Sequence, residues 1–199
     1  MKLPINRTLG YASLITFNVT VKEEYIDDKG QKQIREKKVK TPTFIPSAKG
    51  YTQLAMRSGK YKKINTDVIY EGELVGINKL TGDIDLSGTR TSGKVVGYFA
   101  YFELINGFSK AIYMTVPQMA AYAKRYSLSI KYDKKVTVDS LILLAGQPST
   151  GMGWLGDFDA MGMKTFIRRL LSKYGILSTE MQMAFENEAA AESAAQVVE

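Results

Sequence analysis

The sequence has no cysteine and no histidine. Without cysteine there is no disulfide, thiolate nucleophile, zinc–thiolate site or iron–sulfur cluster. Without histidine there is no Ser-His-Asp triad, no imidazole base and no imidazole metal ligand. A metal would have to be a hard cation on carboxylates and carbonyls. Acid–base work would fall to Asp, Glu, Lys or Tyr. Long apolar runs are also missing: no stretch approaches the roughly 18 residues of a membrane span. The first twenty residues lack the apolar core of a secretory signal, so the expected address is the cytoplasm and no membrane contact is expected. The phosphate-loop pattern G-x-x-x-x-G-K-[ST] is absent as well, which disfavours an ATP-driven motor. No cofactor is expected.

What is present is an ordinary globular composition. The chain has 199 residues, 45% hydrophobic and 24% charged, enough for one domain with a real core. Its charge is uneven. Lys and Arg number 27 against 20 Asp and Glu, a net of +7. Residues 176–199 carry Glu180, Glu186, Glu188, Glu192 and Glu199 and no basic residue, so that end is −5 and the rest is 27 − 15 = +12. A basic body with an acidic tail fits a surface for a polyanion beside an interaction or self-masking segment. Residues 1–178 are expected to form the core, and 179–199 an acidic helix or tail, partly disordered.

The first strong pattern is an alternating run, with Ile15, Phe17, Val19 and Val21 apolar and polar residues between them. It predicts a half-buried strand. Asp27-Asp28-Lys29-Gly30 reads as a hairpin turn. The return arm carries Lys32, Arg35, Lys37, Lys38 and Lys40. That arm could lie along phosphates, or be a solvated edge whose lysines block pairing. Lys49 to Ser58 predicts a short helix ending at Gly59. Strands are expected near 61–71 and 73–79, and a central strand, apolar on both faces, over 94–104. Asn106-Gly107 is a hairpin turn into a strand over 108–115. A helix opens at Pro117, and a longer one after Asp157, which caps it, runs to about Tyr174. The whole predicts an α+β fold: a mostly antiparallel sheet, with a long N-terminal β-hairpin, packed against helices.

Cations recur in clusters. Lys49, Arg57, Lys60, Lys62 and Lys63 fall within fifteen residues that contain no acid. Lys124, Arg125, Lys131, Lys134 and Lys135 form a second set, opposed by Asp133. On the helix after Asp157, Met163, Phe166, Ile167, Leu170 and Tyr174 share an apolar face. Lys164 and Arg168 flank one edge of that face, Arg169 and Lys173 the other. Such groups neutralise phosphates. Aromatic residues, Tyr51, Tyr61, Tyr98, Tyr113, Tyr122 and Tyr126 among them, are available either for the core or for stacking on bases. Catalytic constellations are thin. Glu71/Glu73 and Asp83/Asp85 are spaced to share a strand face and could hold Mg²⁺, or be turn-flanking surface charges.

Two stretches carry a family resemblance. One is Ala48-Lys49-Gly50-Tyr51-Thr52-Gln53-Leu54-Ala55-Met56-Arg57-Ser58-Gly59, followed by Val68-Ile69-Tyr70-Glu71-Gly72-Glu73. The other runs from Gly153-Trp154-Leu155-Gly156-Asp157 through Met161-Gly162-Met163-Lys164-Thr165-Phe166-Ile167-Arg168-Arg169-Leu170. Together with Leu9-Gly10-Tyr11-Ala12, they resemble the RecT family of phage single-strand annealing proteins over roughly residues 3–180. The resemblance implies a non-enzymatic protein that binds single-stranded DNA, anneals complementary strands without ATP and assembles into rings or filaments. It further implies work beside a phage exonuclease and a host single-strand-binding protein. It implies Lys49, Arg57, Lys164, Arg168 and Arg169 as DNA contacts. Charge placement adds Lys60, Lys94, Lys124 and Arg125. Trp154 is assigned to the core. Family members carry a helical segment before the Leu9-Gly10 region, which this sequence nearly opens on, and their segment between Arg125 and Trp154 is shorter. The alternatives are a module that coats single strands without annealing them, and a Mg²⁺-dependent nuclease.

Overall fold

A computed structural model of the chain describes residues 11–26 and 30–196. Two long strands come first. β1 (Ala12–Ile26) and β2 (Lys32–Pro46) pair antiparallel from Ala12↔Pro46 to Ile26↔Lys32. Most of the expected turn, Asp27-Asp28-Lys29, lies outside the described residues. The root of the β1–β2 ribbon is hydrogen-bonded to the start of the first helix through one carbonyl. Tyr11 O accepts from Ser47 N at 3.0 Å and from Ser47 Oγ at 3.1 Å. The same Ser47 oxygen caps α1 (Ala48–Arg57) by accepting from Gly50 N at 3.2 Å. A Cβ on Gly50 would run into the Tyr11 carbonyl, so only glycine lets helix and ribbon approach here.

The main sheet follows. β3 (Tyr61–Tyr70), β6 (Val95–Leu104) and β7 (Ser109–Thr115) are antiparallel in the order β3-β6-β7. β6 is the central strand because both its faces are apolar: Tyr98, Ala100 and Phe102 are fully buried, while Phe99 and Tyr101 are half-buried on the other side. Gly107, at φ 87°, provides the turn from β6 to β7 that Asn106-Gly107 predicts. Residues 73–79 do not form the expected strand. Only β4 (Gly76–Ile77) pairs, with β5 (Ile84–Asp85). The rest of 72–93 is loop, folded so that Gly72 and Gly88 pass too closely for any side chain.

Helices cover one face of the sheet. α2 (Val116–Tyr126) begins with a Thr115/Gln118 capping box and Pro117 in its first turn. Two short helices, α3 (Leu128–Lys131) and α4 (Val138–Ile142), follow α2. α5 (Phe158–Tyr174) is capped by Asp157, which accepts from Ala160 N at 2.9 Å. Its buried face is Phe158, Gly162, Phe166, Ile167, Leu170 and Leu171. Each large apolar side chain there contributes about 1.5–3 kcal/mol. At Gly162 a Cβ would lie 3.1 Å from the Tyr98 ring, so glycine sets the depth at which α5 sits on β6. Trp154 is buried, 5.4 Å from the Phe158 ring. α6 (Thr179–Gln196) closes the chain, touching β1, β2, α1 and α3. Among the described residues no helix is long and apolar enough to cross a membrane.

Candidate nucleic-acid interface

α5 rests on the sheet through one face, so its two flanks face different surroundings. On the flank toward β7, the helix and the outer edge of the sheet enclose a groove of about 280 Å³. Lys110, Ala111, Ile112, Tyr113 and Met114 line it from β7, and Phe166, Arg169, Lys173 and Tyr174 from α5. Rings accompany the cations here. The Arg169 guanidinium lies 5.4 Å from the Tyr122 ring, and the Lys173 and Lys110 ammonium groups 5.2 and 5.5 Å from the Tyr174 ring. Burial pushes the Tyr113 phenol above its usual range. The groove can receive an anionic backbone and offers ring edges or faces to what that backbone carries.

The opposite flank is closed. Lys164 Nζ lies 2.5 Å and Arg168 Nε 3.2 Å from the Glu188 carboxylate on α6. The expectation that cations are displayed at both edges of α5 therefore holds at the Arg169–Lys173 edge. At the other edge the acidic helix covers them.

The remaining candidates are scattered. Lys49 is exposed on α1, 4.7 Å from the Tyr11 ring. Arg57 and Lys60 are exposed at the end of the same helix and just beyond it. Their sequence neighbours Lys62 and Lys63 share the single Glu103 carboxylate of the adjacent strand, at 2.6 and 3.5 Å. The Lys62 hydrogen bond holds the Glu103 carboxyl below its usual range. Lys94 is exposed, 3.9 Å from Glu71. Lys124 turns back on its own chain, donating to Ile130 O at 2.9 Å and Asp133 O at 2.7 Å. Arg125 is exposed, 5.2 Å from the Tyr126 ring.

The paired carboxylates are engaged locally. Glu73 accepts from Tyr70 N at 2.7 Å, Glu71 from Ser92 Oγ at 2.9 Å, and Asp83 from Thr81 Oγ1 at 2.5 Å. Asp85 accepts from Ser87 N at 2.9 Å, and its hydrogen bonds to Ser87 lower its pKa. Among the described residues no three acidic side chains gather where they could hold a metal. Of the aromatics, Tyr51, Tyr98 and Phe102 are fully buried core residues.

Two residues give no sign of their roles in the sequence. Lys110 is a lone cation on a short strand; its place in the groove depends on β7 being an edge strand next to α5. Glu188 looks like one of five equivalent tail acids, yet it is buried.

Fold and groove together define an α+β protein with a cation- and ring-lined cleft at a sheet edge. The chain belongs to the RecT family, whose sequence profile matches residues 2–199. It is similar to the Bacillus subtilis (strain 168) protein named "Uncharacterized protein YqaK", with 38% identity over 185 residues. That match covers 92% of this chain and 50% of the relative, so the chain spans about half of that protein's length.

Proposed function

We propose that this chain binds single-stranded DNA and anneals complementary strands without ATP, in recombination of the phage type. The observation that carries the reading is the groove between β7 and α5. There Lys110, Arg169 and Lys173 line one channel with Tyr113 and Tyr174. In mechanism the groove would hold one strand by its phosphates and leave base edges free. A second strand would then be tested by Watson–Crick pairing, and neighbouring subunits in a ring or filament would extend the groove and multiply its affinity. Arg57, Lys60 and Arg125, exposed elsewhere on the surface, are proposed as further phosphate contacts. An exonuclease that exposes single strands, and a host single-strand-binding protein, are the partners this activity would need. The chemistry is positional, and no residue needs to act as a catalyst.

The test is annealing of two complementary fluorescent oligonucleotides at low salt, with no nucleotide added. Acceleration by the wild-type chain, and its loss in Arg169→Ala/Lys173→Ala, is the expected result. Tight binding without acceleration would replace annealing by strand coating. No binding would remove the reading.

A further inference from the structure

The groove continues onto α2, which follows β7 without a break. The link is Arg169. It lines the groove and lies 5.4 Å from the ring of Tyr122 on α2. Tyr122 and Tyr126 are four residues apart, so they share one flank of the helix. Their ring centroids are 4.7 Å apart and the rings are tilted by 44°. The face that α2 buries against the body is a different one, formed by Val116, Met119, Ala120 and Ala123. Arg125 then lies 5.2 Å from the Tyr126 ring. A cation, two rings and a second cation thus follow one another from the groove along the helix. The two rings differ in what they can receive. Tyr122 is half-buried and engaged by both Arg169 and Tyr126. Tyr126 is 55% exposed, at the last position of the helix. Core tyrosines such as Tyr51 and Tyr98 are fully buried, so packing against the body does not account for Tyr126. An open ring beside a guanidinium offers an aromatic face to a planar group and a positive charge to an anionic link next to it. Nucleobases carried on phosphodiesters match both.

We propose that Tyr126, backed by Tyr122, is a stacking platform for a base of single-stranded DNA that leaves the β7–α5 groove, with Arg169 and Arg125 set for the phosphates on either side. That DNA is the occupant rests on the function proposed above; what is added is a subsite outside the groove that takes bases by their faces. The consequence concerns annealing. A ring that holds a base by its face leaves the Watson–Crick edge open, so the base is ordered and presented where a complementary strand reaches it. Stacking is tolerant of sequence, since every base has a π-face, as annealing of any two complementary strands requires. It also releases no counterions, so it contributes affinity that salt does not remove.

The test is binding of the full chain to oligo-dT and to an abasic strand of the same length, each over a series of salt concentrations. Tyr126→Ala should bind oligo-dT about fivefold or more weakly than wild type, with the slope of log affinity against log salt unchanged. On the abasic strand the two should differ by less than about twofold, because there is no base to stack. Tyr126→Trp should restore oligo-dT binding, and Tyr126→Leu, which keeps an apolar surface without a ring, should not. Arg125→Ala should instead weaken both strands alike and reduce the slope by about 0.7; an unchanged slope overturns its place beside the platform. Equal loss in Tyr126→Ala on both strands, or no loss on either, overturns the platform. A loss that goes with a smaller assembly in sedimentation overturns it too and assigns Tyr126 to a contact between copies of the chain. A wild-type chain that binds neither strand overturns the function proposed above, and the platform with it.

Discussion

The Tyr98 hydroxyl, on the central strand, donates to Asp159 in the first turn of α5 at 2.5 Å. The other Asp159 oxygen accepts from the backbone of Gly146 at 2.9 Å. One short polar chain thus joins sheet, helix and the loop before it, where apolar contact alone would let α5 slide. Tyr98→Phe keeps the ring and leaves Asp159 one partner short. Urea unfolding should show a loss of about 1–3 kcal/mol. Unchanged stability would mean that the ring alone fixes the helix.

The same phenol makes stability depend on pH at the alkaline end. Burial first, and then the Asp159 carboxylate, push Tyr98 well above its ordinary range, and burial does the same to Tyr61. An unfolded tyrosine loses its proton near pH 10. The folded chain keeps it, so the stabilisation is fully present below about pH 10 and declines as pH rises beyond it. The urea midpoint should fall between pH 9 and pH 11, and fall less steeply in Tyr98→Phe.

Arg169 and Lys173 are expected to act through phosphates. Replacing both with alanine should weaken oligonucleotide binding whatever the sequence. It should also reduce the slope of log affinity against log salt by about 1.4, roughly 0.7 for each phosphate that a cation neutralises on a single strand. Lys110→Ala should remove a further share. An intact slope would move the strand path away from this groove.

Lys124 should behave in the opposite way. Its ammonium holds two carbonyls of the α3 region. Lys124→Met should therefore lower the melting temperature, by about 1–2 kcal/mol in stability, and leave the salt slope of DNA binding unchanged. A flattened slope with normal melting would return it to the DNA contacts.

Gly50→Ala tests the attachment of the ribbon. The new methyl would meet the Tyr11 carbonyl, so α1 or the ribbon has to shift. Faster proteolysis within residues 12–46 is the expected result, while the α5 groove keeps its affinity. Wild-type protection of the ribbon would show that the clash is absorbed elsewhere.

Most of the fold is legible because local chemistry and tertiary demand agree. Val95–Leu104 is apolar on both faces and is the central strand; Asn106-Gly107 is the turn; Asp157 is the cap. The strand expected at 73–79 is cut to two residues because Gly72 and Gly82 turn the backbone at positive φ and Gly72 packs against Gly88, which folds the stretch into a loop. The buried face of α5 reads as a stripe, but Gly162 belongs to it for a steric reason that a hydropathy pattern does not carry. Charge is the least legible layer. Five clustered cations in 49–63 look equivalent until Glu103, far along the chain, pairs with two of them. The five tail acids look equivalent until α6 lies against α5 and sorts out Glu188.

The β1–β2 ribbon is joined to the body by the Ser47–Tyr11 hydrogen bonds and by α6, and its length has a mechanical consequence. Fifteen paired residues extend about 50 Å. A lever of that length turning by about 10° at its root sweeps its tip through about 9 Å, more than the spacing between successive nucleotides. Whatever shifts α6, which touches both strands of the ribbon, is therefore amplified at the far end. A motion too small to see at the hinge would be large at the place where a neighbouring molecule could feel it.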